Sequence, residues 1–192
     1  MLQTVRFLVV VIAVAVGSAG CSLPGIVIFR DSDPGISLAA GEDTNVHFFT
    51  AEANFDTGIN LQSGNRYELE ITILSYWIDS YIDRNEDNEP LDERGFSDNR
   101  MMLEFEDTVI PFVFARLTKR SYYHRWFELM LYQPNCKRDS LRGVTDLSID
   151  ADSGGYNFVA ACDGKLTLFV NDSHGFYGNN VGYANISLSR VN

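Results

Sequence analysis

The chain has 192 residues, with 15 Lys and Arg against 26 Asp and Glu and a formal charge of −11 at pH 7. So acidic a balance argues against nucleic acid as a partner and against electrostatic docking on anionic lipid, while it suits the binding of cations. The length is that of one domain with a full hydrophobic core, and 13 Phe and 9 Tyr supply that core with aromatic material.

At the N-terminus, Arg6 is the only charge before Arg30, and residues 7–16 form an unbroken apolar run. The run is shorter than the about 20 residues a membrane span needs, and it reads as the apolar region of a signal peptide. Gly17, Ser18, Ala19 and Gly20 then lead into Cys21. This pattern resembles the bacterial lipobox, which implies a signal peptide over 1–20 and a Cys21 carrying acyl chains such as palmitate. By the same resemblance, Ser22 favours the outer membrane, on its periplasmic or its surface face. The alternative is ordinary cleavage after Ala19, with Cys21 left as a free thiol.

Residues 21–45 contain Pro24, Gly25, Pro34, Gly35 and Gly41 and read as a tether, within which 26–29 offers a further strand. From residue 46 the chain reads as short strands. Tyr67, Leu69, Ile71 and Ile73 alternate with polar residues and share one face. Further strands are expected at 46–50, 101–106, 112–117, 126–132, 146–149, 156–161, 166–170 and 183–188. A long polar loop, 83–99, interrupts them, and no window combines a helical stripe with a capping signal. The expected fold class is all-β: an antiparallel β-sandwich over 46–192, one domain after the signal peptide. If Cys21 carries lipid, Cys136 and Cys162 remain as one pair in an oxidising compartment, the alternative being two free thiols. Their disulfide would stabilise the fold by about 3 kcal/mol.

The segment richest in chemistry follows the strand 166–170: Asn171-Asp-Ser-His-Gly-Phe-Tyr-Gly-Asn-Asn180. Calcium takes about six to eight oxygen ligands. Asp172 offers a carboxylate, Asn179 and Asn180 offer amide oxygens, and Gly175 and Gly178 permit tight turns. The same residue types also make ordinary hairpin loops. Asp83 to Pro90 begins like an EF-hand loop but has Asn88 where that loop needs glycine and Arg94 where it needs a closing Glu. Trp77, the Tyr122–Trp126 aromatics, His47 and His124 read as structural. No nucleophile elbow, zinc-helix motif or histidine cluster is present in the sequence, so the chain is not expected to be an enzyme.

The order of these features resembles the calcium-dependent galactophilic lectins of bacteria, a galactose-binding-like β-sandwich. Gly164 to Asp172, then Tyr177-Gly-Asn-Asn180 and a closing strand, carry the resemblance. Phe55-Asp-Thr-Gly-Ile-Asn-Leu61, Gly64 and the strand up to Trp77 extend it, and residues 97–125 are extra. The resemblance implies a calcium site built from Asp172, Asn179 and Asn180 with backbone carbonyls of Phe176 and of Tyr81 or Ser80. It also implies a carbohydrate or glycoconjugate touching Asp172, Ser173 and Asn179, with Glu89 and Glu93 or Arg94 where the family has sugar-contacting His and Gln. The resulting expectation is an envelope lipoprotein that binds a carbohydrate or related ligand with calcium. Its alternative is an envelope interaction or structural lipoprotein that keeps the fold, lacks sugar binding and docks a protein through 97–125.

Overall fold

The computed structural model describes residues 35–106 and 109–192. The segment expected to be a signal peptide, Cys21 and the strand expected at 26–29 lie outside the described residues. In chain order the elements are β1 (Asp43–Phe49), β2 (Phe55–Leu61), β3 (Arg66–Ile73), β4 (Ile78–Asp79), α1 (Asp98–Leu103) and α2 (Val109–Thr118). They continue with β5 (Leu129–Tyr132), β6 (Arg142–Gly143), β7 (Ser148–Ile149), β8 (Tyr156–Val159), β9 (Gly164–Val170), β10 (Asn180–Val181) and β11 (Tyr183–Arg190).

Two antiparallel sheets, ordered β1-β11-β3-β8-β7 and β2-β9-β5-β6, form a β-sandwich. Alternation builds them. In β11, Ala184, Ile186 and Leu188 are buried while the residues between them are partly exposed. In β3, Tyr67 and Leu69 are buried, with Ile71 and Ile73 packed at the margin of the same core. From the other sheet, Ile59, Leu61, Leu129, Leu131, Leu166 and Leu168 join the same buried cluster. One end of the core is aromatic, with Trp77 6.0 Å from both Phe48 and Phe127. Offset and edge-on pairs of this kind add about 0.5–1.5 kcal/mol each beyond their buried area.

β9 is buried on both faces. Met130 and Phe169 pair across β5 and β9 and are both buried, although they point away from the Leu129 and Leu168 side. The Arg120 guanidinium, 3.5 Å from the Phe169 ring centroid, covers that outer face. The chain after α2 therefore runs across the back of the four-stranded sheet.

Two expectations change. The strands at 101–106 and 112–117 are instead mostly helical. Ser97 caps α1 by accepting the Arg100 N–H at 3.3 Å, and Pro111 stands in the first turn of α2, where its missing N–H costs nothing. In a strand that proline would have removed a ladder bond. The sandwich also begins earlier than residue 46: Ile36 bridges Ile59, Leu38 is buried, and β1 starts at Asp43. The loop expected at 83–99 is a loop up to the start of α1, and local bonds hold it. The Asn85 side chain accepts the N–H groups of Asp87 and Glu89, both at 3.0 Å, and Leu91 and Phe96 are buried. Asn85 thus serves the backbone, as an Asx turn does, instead of a cation.

The disulfide expectation holds. Cys136 and Cys162 are bonded, with Cα atoms 5.8 Å apart and a sequence separation of 26. They tie the 3-10 turn Pro134–Ser140 to the residues entering β9.

Candidate cation site and ligand cleft

The loop leaving β9 is fixed by Asn171, which is fully buried. Its Nδ2 donates to the Ser121 and Arg125 carbonyls at 2.9 and 2.8 Å, and its Oδ1 accepts the Ser121 N–H at 2.8 Å. With both ends of that amide satisfied, Asp172 has one place to go. Its Oδ1 accepts the Ser173 N–H at 2.6 Å, and its Oδ2 accepts Asn180 Nδ2 at 3.2 Å. The Tyr177 hydroxyl, donating to the Val170 carbonyl, pins the far side of the loop.

Asn180 begins β10, which pairs with β4 and places Asn180 directly opposite Asp79. That pairing depends on Gly182. Its φ is +145°, and a Cβ there would fall 2.0 Å from the Tyr76 carbonyl oxygen. Asp79 itself opens a tight turn in which its N–H donates to the Ile82 carbonyl at 3.1 Å and the Ile82 N–H returns at 2.8 Å. Ser80, with φ 57°, makes the turn possible.

The electrostatics of this corner are unbalanced. Asp79 is 5% exposed, and burial first, then the charges of Asp172 and Glu104, push its carboxyl up to about 7. Burial raises Asp172 as well, against the opposing effect of the Ser173 N–H and the Asn180 amide. Asp79 Oδ2 and Asn180 Oδ1 are buried and have no hydrogen-bond partner. Buried acceptors without a donor are destabilising by about 1–3 kcal/mol each. A hard cation would offset that and hold both carboxylates ionised. Two carboxylates, two uncompensated oxygens and flanking backbone carbonyls fit calcium. Among the described residues no three His, Cys, Asp or Glu side chains converge, so amide and backbone oxygens would complete the shell.

Asp79 and Asp172 lie at the polar side of a cleft of about 450 Å³. Ser80, Tyr81, Ser173, Phe176 and Asn179 also line it, so the loop expected to bind metal and the turn after Trp77 do meet. Asn179 is exposed, and the Phe176 carbonyl already accepts the Asn179 N–H at 3.1 Å. Tyr81 is exposed, and a hydrogen bond to Glu104 raises the pKa of its hydroxyl. Ser173 is buried, its Oγ sharing a hydrogen bond of 2.8 Å with Thr118 Oγ1. Glu89 and Glu93 do not line the cleft. Glu93 accepts the Tyr156 hydroxyl at 2.6 Å, and Glu89 closes the Asn85 turn. In their place the extra segment brings Glu104, which is paired with Arg100. Asp79 and Glu104 are the acidic residues of the cleft that sequence reasoning missed. Asp79 carried one local sign, a carboxylate next to Ile78 and shortly after Trp77 in an apolar run.

A second cluster, Ser121, His124 and Asp146, is linked by hydrogen bonds from Ser121 Oγ to His124 Nδ1 and from His124 Nε2 to Asp146 at 2.7 Å. Ser121 is buried, and the cluster lies outside the lining of the cleft at Asp79. Burial would raise Asp146, but the Gly143 N–H and His124 hold it below the usual range. The cluster fastens the chain after α2 to the Val144–Asp146 turn. Trp77 and Trp126 are both buried, and His47 sits on the exposed face of β1.

Comparison with known proteins gives no match to a family model and none to a curated protein.

Proposed function

We propose that the chain is a lipid-anchored envelope protein whose β-sandwich binds a carbohydrate or related hydroxylated ligand through calcium. The observation that carries the reading is the buried Asp79–Asp172–Asn180 corner, with two acceptor oxygens lacking donors, beside a cleft that Asp79 and Asp172 line. Calcium held there by Asp79, Asp172 and Asn180, with carbonyls from the Phe176 loop and the Ser80–Tyr81 turn, would present open coordination positions to the cleft. Vicinal hydroxyls of a ligand are hard oxygen donors of the right spacing for such positions. The lectin resemblance in 164–180 supports the same chemistry, and the lipobox resemblance at Cys21 supports the anchor. Among the described residues no helix is long and apolar enough to cross a membrane.

A glycan array probed in calcium and again in chelator tests this reading. Spots bound in calcium and released by chelator are expected; binding indifferent to chelator would overturn it. A second reading, docking of a protein partner, is favoured by one observation: Ile110, Phe114 and Leu117 of α2 are 70, 66 and 67% exposed. It predicts a blank array and no calcium response.

A further inference from the structure

The cleft above the two aspartates is chemically two-sided. Its polar side holds Asp79, Asp172 and Ser173, whereas Met101, Phe105 and Phe114 from the helical segment face it together with Trp126 and Phe176. Asp79 is nineteen-twentieths buried, lines the cleft, and has an oxygen without a hydrogen-bond partner, so the polar side is built to meet a ligand or ion. The apolar side is held in place, since Phe105 packs edge-on against the buried Phe112 at 6.4 Å. It also continues outward. Phe114 and Phe176 line the cleft while 66 and 61% exposed, and Ile110 and Leu117 lie one turn to either side of Phe114 on the same helix face.

The volume of about 450 Å³ falls in the range of about 300–1,000 Å³ typical of pockets that enclose drug-sized ligands. A single sugar ring seated on the cation would leave the aromatic wall against water. Charge narrows the class further. The two aspartates balance a divalent cation, Glu104 is paired with Arg100, and the chain carries −11, so nothing attracts an anionic headgroup.

We propose that the cleft takes an amphiphile: an uncharged, hydroxylated headgroup on the cation at Asp79, Asp172 and Asn180, with a hydrocarbon chain along Phe105, Phe114, Trp126 and Phe176. The class is that of a neutral glycolipid. This rests on the cation-site reading above and adds to it the role of the helical segment. The headgroup hydroxyls fill the open coordination positions. The hydrocarbon covers the apolar wall and leaves over the exposed α2 face.

The test is calorimetric titration of the chain without its signal peptide. Calcium alone is titrated first, then matched methyl and octyl glycosides of several neutral sugars, below their micelle-forming concentrations, in calcium and in chelator. With at least one sugar, the octyl form is expected to bind at least about tenfold more tightly than the methyl form, the gain from burying about two methylenes, and only in calcium. Phe114→Ser, at an exposed position, should remove most of that gain while leaving calcium affinity unchanged. Calcium binding with equal methyl and octyl affinities, or an octyl gain that survives Phe114→Ser, overturns the amphiphile alone. Failure of calcium itself to bind overturns the cation site and the amphiphile together.

Discussion

Burial, then the Asp172 and Glu104 charges, disfavour the ionised form of Asp79 and push its carboxyl from the ordinary 3.8 up to about 7. Without a cation, the folded protein therefore holds this proton more tightly than the unfolded chain. The associated stability is fully present below 3.8 and is lost as pH rises through about 7. The lost amount is roughly 3–5 kcal/mol at most. In chelator, Asp79→Asn should therefore flatten the fall in melting temperature between about pH 5 and about pH 8. An equally steep fall in the variant would contradict the assignment. Gly182→Ala tests the pairing that brings Asn180 to Asp79. A Cβ 2.0 Å from the Tyr76 oxygen at φ +145° should destabilise by about 1–3 kcal/mol and weaken calcium binding by calorimetry. Gly175→Ala, with nothing within 4 Å of its Cβ, should do neither. At this scale Asp172 and Asn180 were legible because nine residues of one loop hold both. Asp79 was not, because its partnership exists only through the β4–β10 register.

At the scale of elements, the strands of the sandwich were legible from alternation and the helical segment was not. The runs at 101–106 and 112–117 mix aromatic and β-branched residues that suit either state, and Ser97 lacks the Glu or Gln three residues on that would have made a capping box. What holds the segment is tertiary. Asp98 accepts Trp126 Nε1 at 2.8 Å and lies 2.8 Å from Arg116 Nε and 3.4 Å from Lys119 Nζ. The Arg116 contact is an ion pair without hydrogen-bond alignment. Lys119 is buried, and desolvation lowers its pKa against the opposing pull of Asp98. Removing Asp98 leaves the indole N–H without its acceptor and the buried lysine without its anionic partner, its Nζ keeping only the His124 carbonyl at 2.7 Å and the Trp126 ring face. Asp98→Ala should cost about 1–3 kcal/mol and speed amide exchange across 98–118 while β3, β9 and β11 keep their protection. Uniform protection across the segment in the variant would show that Asp98 does not anchor it.

For the whole molecule, β9 connects the two features that matter most. The disulfide precedes its first residue and the proposed cation corner follows its last, so the two lie toward opposite ends of one buried strand. The Cys136→Ser, Cys162→Ser double variant should lose about 3 kcal/mol yet keep the calcium response in a melting scan. Loss of that response would mean the strand does not insulate one end from the other. The sandwich and the disulfide followed from patterns spread along the chain. The apolar wall of the cleft did not, since it is assembled from α1, α2 and two distant loops.

The most direct test of the cation corner is thermal melting in millimolar calcium and in chelator, for the native chain and for Asp172→Ala. A saturating cation should raise the native melting temperature by about 5–10 °C and leave Asp172→Ala unmoved. A native melting temperature indifferent to calcium, or an equal rise in Asp172→Ala, would contradict the account.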